Sequence, residues 1–509
     1  MSKPTNPKRR SETRLDENAA GPDARGRDNY DYLSPLDTRY YGEDKRVYDA
    51  LHPYLSEAAN IKYQILVEHA IIATLEHARI APPGISRRFA AAASVITPEQ
   101  VYQEERLTHH NIRALVNCLR AKLPEQDRGY VHLFATSADV MDTARSLALR
   151  DLTREVLLPE LQNLLKVLIE AARRDAELPQ IGRTHGRYAE PITVGYWLAN
   201  FVARLGERAE KIAASAAELR GMFSGAVGAR SALALHWPDD PSGIEIETLG
   251  RLGLKPGSGC ASTQVVQPEY LADYAHALIS TLGVLANIAD DFRHLMRSEI
   301  EEVEEDPDPG QVGSSTMPHK INPKNFENVK SLWKAFMPRM MTVYMDQISE
   351  HQRDLTNSAS TRFFNELVAG TFYAIYRLRG AIKRTRTSRK AIERNLKESF
   401  GSIVAEPLYI AFALAGHPDP YDKLRSTFLQ ARERGENLLS LLETDEEARA
   451  LWAKIPQRLK AAILDPSKYI GDAVARTHAI CDQVEMDLNR PLFIGRLDRP
   501  AERAALLLD

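Results

Sequence analysis

The chain has 509 residues and a mass of 57.1 kDa, too long for one compact core, so two or three domains are expected and a lone binding module is excluded. Lys and Arg number 66 against 69 Asp and Glu, a formal net charge of -3. With no basic field to hold a polyphosphate backbone, nucleic acid is not an expected partner. Cys118, Cys260 and Cys481 are widely spaced and match no CxxC or Cys/His ligand pattern, which suits a reducing compartment. No uninterrupted apolar run approaches the roughly 18 residues that cross a bilayer, and no secretory segment opens the chain. A cytoplasmic protein without a membrane partner is the expectation.

Residues 1–30 hold one large aliphatic side chain, Leu15, and no aromatic before Tyr30, so a disordered tail is expected there. Its Lys8, Arg9 and Arg10 read as solvated charge. From about residue 44 prolines are sparse and apolar residues recur three and four apart, the helical period. Over 269–306, Leu271, Ala275, Leu278, Leu282, Leu285, Ile288, Phe292 and Leu295 keep that spacing. Similar stretches run over 141–178 and 190–222, and 339–389 lacks proline. No segment shows the period-two pattern and turn chemistry of a sheet. The reading is an all-α fold in three helical domains, 31–135, 136–390 and 391–509, with the long helices in the middle one. A long helix buries its apolar stripe only against equally long neighbours, so a bundle shared between subunits follows.

The helical pattern breaks at Asp306-Pro307-Asp308-Pro309-Gly310, which leads into GSSTMPHKINP at 313–323. Gly313 permits unusual backbone angles, and the hydroxyls of Ser314 and Ser315, free N–H groups and Lys320 can stabilise an anion. A serine hydroxyl is a poor base unless its alkoxide is stabilised in this way. A plain polar linker has the same composition, and spacing alone leaves both readings open.

The segment resembles the GSSxMPxKxNP signature of the fumarase/aspartase/argininosuccinate lyase superfamily, and within it the resemblance is closest to the adenylosuccinate lyase family, over most of the chain after the tail. Ser34-Pro-Leu-Asp-Thr-Arg39-Tyr40 is similar to the family's SPLxxRY element, which implies that Arg39 and Tyr40 contact the nucleotide. Glu105 to Asn111 resembles a segment near the substrate, placing Thr108 and His109 there and His110 on the family's histidine; Asn111 stands where Asp is usual. TSADVMDT at 136–143 resembles TSxDVxDT and implies Thr136 and Ser137 at the succinyl carboxylate. The same hydroxyls and carboxylate read locally as a helix cap, and both readings hold together.

RTHGR at 183–187 resembles RTHGQ, which implies His185 as the general acid beside Thr184, with Arg187 in place of Gln adding a fixed positive charge. Ser262-Thr263-Gln264 resembles a substrate-contacting stretch, with Gln264 toward the nucleobase. Within and after the signature, Ser314 is the implied base, Ser315, Met317 and Asn322 line the site, Lys320 stabilises the carbanion and Glu327 orients an imidazole. Gln352 to Arg362 resembles RDxSxSSxxR, with Arg353, Ser358 and Arg362 as a phosphate cradle. The resemblance implies elimination of fumarate from a succinylated purine nucleotide, no cofactor, no metal, and a homotetramer whose sites combine three subunits. The alternatives are another superfamily lyase, such as an argininosuccinate lyase, and a non-catalytic structural protein on the same scaffold.

Overall fold

The computed structural model describes residues 34–40, 44–306, 313, 316–317 and 319–490. The expected N-terminal tail, Ser314 and Ser315 lie outside the described residues. In chain order the helices are α1 (Lys45–Leu55), α2 (Glu57–His77), α3 (Ile85–Ala93), α4 (Pro98–Thr108), α5 (Asn111–Lys122), α6 (Ser137–Leu152) and α7 (Leu158–Arg174). A hairpin of β1 (Pro179–Thr184) and β2 (Arg187–Thr193) precedes α8 (Val194–Ala217), α9 (Ser231–Ala234), α10 (Pro241–Arg251) and α11 (Glu269–Leu295). After β3 (Val303–Glu305) come α12 (Lys324–Phe336), α13 (Arg339–Met345), α14 (Phe364–Lys383) and β4 (Thr385–Thr387). The rest is α15 (Arg389–Ile403), α16 (Ala405–Leu414), α17 (Pro420–Arg434), α18 (Leu438–Thr444), α19 (Glu446–Lys454), α20 (Gln457–Leu464) and α21 (Ala473–Leu488).

A π turn at Thr153–Leu157 joins α6 to α7 without a break. Pro159 lies just beyond it and has no N–H to donate; a widened turn ending at that point accommodates its ring where a regular turn would clash with the carbonyl four residues back. The resulting rod from Ser137 to Arg174 is about 55 Å long at 1.5 Å per residue. It packs against α8, α14 and, through α8, α11, and these long helices enclose the main apolar core, including Leu161, Leu165, Leu205, Leu278, Leu285 and Leu378. A second apolar cluster joins α2, α3 and α5 to Phe223 and Leu249. A third lies among α16 to α20. α11 is long and apolar enough to cross a bilayer, yet 67% of its apolar window is buried inside this bundle.

The structure corrects three sequence expectations. The 269–306 pattern stops as a helix at Leu295; the chain then turns back, Glu302 N donating to Leu295 O at 2.9 Å, and the Glu302 carboxylate is fully buried. The 339–389 stretch is not one helix: the Asp354 carboxylate accepts from Glu350 N (2.8 Å), Thr356 N (2.9 Å) and Thr356 Oγ1 (2.7 Å), and this local network competes with helical bonding. Those bonds hold Asp354 down to about 2. Among the described residues there are two small antiparallel sheets, β1 with β2 and β3 with β4. The first escaped the alternation test because a polar residue, Gln180, is buried on it: its Nε2 donates to Glu302 Oε2 at 2.7 Å. Its two-residue turn, His185-Gly186, has φ of 53° and 73°, the left-handed pair of a type I′ turn.

α7 and α8 approach closely at Gly195, where a Cβ would lie 2.4 Å from Ala172 O and 2.5 Å from Ala176 Cα. Backbone cannot swing aside. Gly195→Ala is expected to cost about 1–3 kcal/mol and lower the thermal unfolding midpoint. Gly250→Ala, with nothing within 4 Å of its Cβ, is the matched helical control and is expected to be neutral or slightly stabilising.

Candidate active site

One group of motif residues gathers where α6 begins. The Asp139 side chain folds back on the helix start, its Oδ2 accepting from Thr136 N at 2.8 Å, which leaves Thr136 and Ser137 half-buried at the positive end of the rod. Asp139 also accepts from Ser224 N (2.9 Å) and Gly225 N (3.2 Å). Burial pushes its carboxyl up to about 6, against the pull of these backbone bonds. Asp142 Oδ2 accepts from Val266 N at 3.1 Å, and Ser224 Oγ and Ser262 Oγ are 2.7 Å apart. Gln264 N donates to Gln352 O at 3.2 Å, and Gln352 Nε2 reaches Val227 O at 3.4 Å. Segments 136–142, 224–227, 262–266 and 352 therefore form one closed ring.

The histidine segment borders this ring. His109 caps α4 with a left-handed φ of 52°, and Thr108 Oγ1 donates to Glu104 O (3.1 Å) and His110 O (3.2 Å). His110 caps α5: its Nδ1 accepts from Arg113 N at 3.2 Å, so the proton of the neutral ring sits on Nε2. Asn111 Nδ2 lies 3.3 Å from Met141 Sδ, which fixes this segment against α6. In the 350–363 stretch Arg353 donates to Asn357 Oδ1, while Ser358 and Arg362 are exposed. Burial raises the Tyr102 phenol above its ordinary range, and the Arg362 charge acts on it in the opposite direction, which places Arg362 beside α4.

The other motif residues lie elsewhere. His185 and Arg187 are exposed on the hairpin turn, Thr184 pairing with Arg187 across it. The hairpin is held at its base by Glu302, which accepts from Arg183 Nη2 (2.7 Å) and Asn395 Nδ2 (2.8 Å) as well as Gln180, and it packs on α15. Asn325 Nδ2 donates to Glu305 Oε1 at 2.6 Å, so the start of α12 adjoins the segment that leaves Glu302. Asn322 Nδ2 donates to Gly313 O at 3.0 Å and Lys320 N to Met317 O at 3.0 Å, closing the signature on itself. A Cβ on Gly313 would lie 2.2 Å from Lys320 O, so only glycine allows this closure. Lys320 and Met317 are exposed.

Glu327 faces Arg293, with Oε1 3.8 Å from its Nε, and not His185. Arg39 is exposed, and the Tyr40 ring lies 4.9 Å from that of Tyr373, tilted at 51° to it, with its hydroxyl accepting from Asn328 Nδ2 at 3.2 Å.

The two groups cannot meet within one chain. His110 sits beside Met141 and the hairpin follows Arg174, roughly 50 Å away along the rod at 1.5 Å per residue. Gln264 precedes α11 and Glu327 abuts Arg293 at its far end, about 40 Å apart by the same measure. A cavity of about 310 Å³ between α7, α8 and β4, lined by Trp197, Phe292 and Lys383, contains none of the motif residues.

Residues 57–335 match the Lyase family model and residues 349–470 the model for the adenylosuccinate lyase C-terminal region. The chain is 33% identical to the adenylosuccinate lyase of Methanothermobacter thermautotrophicus over 87% of its own length and 96% of that protein. The chain belongs to the adenylosuccinate lyase family. The family member of Archaeoglobus fulgidus is 31% identical, with 88% of this chain and 98% of the relative covered. In fold, the 3-carboxy-cis,cis-muconate lactonizing enzyme of Pseudomonas putida superposes with a TM-score of 0.74 at 23% identity, over 89% of this chain and 100% of that one.

Sequence reading missed two features next to these adenylosuccinate lyase motifs. His132 has φ 64° and is clamped by buried Glu68, Nδ1 to Oε1 2.6 Å and N to Oε2 3.1 Å, with Phe134 also left-handed at φ 66°. Nothing in a non-glycine residue type announces such a conformation. The second is the 224–228 loop, whose only sequence signal is the pair Gly225 and Gly228, at φ 79° and 74°. At the hairpin tip, Gly186→Val puts a β-branched side chain in the left-handed region, at a cost of about 1–2 kcal/mol. Faster amide exchange over 181–192 is expected, with the global unfolding midpoint retained by the Glu302 anchor.

Proposed function

We propose that this member of the family eliminates fumarate from adenylosuccinate, giving AMP, and from the succinylated aminoimidazole carboxamide ribotide of purine biosynthesis, in a site assembled from more than one copy of the chain. The observation that carries the assembly is the separation of the ring at the start of α6 from His185 and Lys320 at the other end of the bundle. A tetramer is the proposed state, and an exposed apolar strip supports it: Met337, Met341, Met345, Ile348 and Phe363 all face outward. The domains are taken as 31–135, 136–390 and 391–509, and the setting as the cytoplasm.

In the proposed reaction Ser314, as alkoxide, takes the proton from the carbon next to a succinyl carboxylate. The resulting carbanion is held as an aci-carboxylate by Lys320, by Asn322 and by the hydroxyls of Thr136 and Ser137 at the start of α6. The C–N bond then breaks, and His185 protonates the departing nitrogen. A left-handed turn at the tip of a hairpin suits this role, because it projects an imidazole beyond its own chain into a neighbour's cleft. Arg353, Ser358 and Arg362 are assigned to the phosphate, with Arg39 and Tyr40 at the nucleotide. His110, with Nε2–H outward, donates to the substrate, and His109, Thr108, Gln264, Thr184, Ser315, Met317 and Asn322 line or shape the pocket. Glu327, beside Arg293, is assigned to orient whichever imidazole the partner copy supplies.

Purified protein given adenylosuccinate is expected to release fumarate, followed by absorbance at 240 nm; release from argininosuccinate instead would overturn the substrate assignment. General acid and base steps each contribute about 10²–10⁴-fold, so Ser314→Ala and His185→Ala should each lose a factor in that range while remaining folded by circular dichroism. His110→Ala and His185→Ala, each inactive alone, are expected to regain activity when mixed, dissociated and reassembled, because some sites then combine an intact His110 from one copy with an intact His185 from another. No recovery would show that both residues act within a single chain.

A further inference from the structure

Asp139 is a fully buried carboxylate that the proposed chemistry does not use. Its oxygens are spent on backbone donors of two separate segments: Thr136 N at 2.8 Å, Ser224 N at 2.9 Å, and Gly225 N at 3.2 and 3.3 Å. The segment it grips is tied at its flanks as well, Arg230 N donating to Ser224 O at 2.9 Å and buried Glu245 accepting from Phe223 N at 3.1 Å and Arg230 Nε at 2.6 Å, but among the described residues Asp139 alone links it to the start of α6 through Ser224 N and Gly225 N. Gly225 and Gly228 are both left-handed, Ala226 and Val227 between them are exposed, and a Cβ on Gly228 would lie 2.2 Å from Ser262 O. The grip passes onward, since Ser224 Oγ is 2.7 Å from Ser262 Oγ, and the 262–266 segment reaches Gln352 through Gln264 N.

We infer that Asp139 is a positioning residue for substrate: one buried carboxylate sets the 224–228 and 262–266 loops at a fixed distance from the Thr136–Ser137 helix terminus, so the width of the dicarboxylate pocket is decided before substrate arrives. A buried anion is costly to desolvate, and for stability alone an apolar residue of similar volume would serve. What an apolar residue cannot do is orient three N–H groups from two separate segments, one of them the glycine-permissive 224–228 loop. Their loss would cost the loops their preorganisation, and substrate binding would then have to supply the ordering. The kinetic arm of this inference rests on the lyase reading above; the exchange arm does not.

Asp139→Asn keeps the shape and loses the charge, presenting an amide donor to one of the N–H groups. It is expected to raise KM for adenylosuccinate about tenfold or more, the equivalent of one charge-assisted hydrogen bond, with a smaller change in kcat. Amide exchange over 222–228 and 262–266 in the unliganded protein should quicken at least tenfold, and exchange in α7 and α11 should not change. Asp151→Asn is the control: that carboxylate is buried on the same helix, beside Tyr63 and remote from Thr136, and its loss should lower the unfolding midpoint without moving KM. If Asp139→Asn fails to fold, Ser262→Ala, which cuts only the link to Ser224, should raise KM about threefold with the same two segments loosened. Unchanged KM with unchanged loop exchange, or equal effects from Asp139→Asn and Asp151→Asn on both, overturns the inference. If the wild type releases no fumarate, the lyase reading falls, and the exchange comparison still decides the role of Asp139.

Discussion

A helical rod about 55 Å long sets the terms for the whole molecule. Its apolar stripe, with Leu161, Leu164, Leu165 and Leu168 fully buried, is covered by the long helices α8 and α14, with α21 alongside and α11 packed on α8 in turn. Such a bundle is rigid along its axis and solid with side chains, so it has no room for a nucleotide at its centre. Chemistry is displaced to the ends, where helix termini, turns and loops expose N–H groups and polar side chains. The same length keeps the two ends of one chain apart.

Between these rigid parts the connections are made by buried carboxylates. Glu302 joins the hairpin, α15 and the strand leading to the signature; Asp139 joins the start of α6 to the 224–225 loop; Glu68 clamps His132. Each is fully buried and each is met by several donors, the condition under which a charge can be kept out of water without a large net cost. Apolar contact would hold the same segments together without fixing their angles. Hydrogen bonds are directional, and the loops they hold are those that carry the candidate binding residues.

The helical architecture was legible because it rests on local signals. The apolar period over 269–295 needs no knowledge of the partner helices, and the hydroxyls and carboxylate at 136–139 mark a helix start by themselves, Asp139 Oδ2 accepting from Thr136 N at 2.8 Å. Where the reading failed, the deciding contact was remote in sequence. The β1–β2 hairpin lacks alternation because Gln180 is buried against Glu302, 122 residues away. The break inside 339–389 comes from Asp354 capturing nearby N–H groups, a competition between helix and side chain that residue type alone does not decide. Arg187 and Asn111, which depart from the motifs this sequence resembles, stand beside His185 and His110, so these two departures adjoin candidate site residues.

The amino-acid order was sufficient to specify the helices, the loop chemistry of GSSTMPHKINP and the family, since periodicity, caps and contiguous motifs are properties of neighbouring residues. It could not specify which motifs share a pocket. Thr136, Gln264 and Gln352 are scattered over more than two hundred positions and meet, whereas His110 and His185, much closer in sequence, are held at opposite ends of the bundle. Only the three-dimensional packing decides this, because helix length converts sequence separation into distance along an axis, while turns and buried polar ties bring remote segments together.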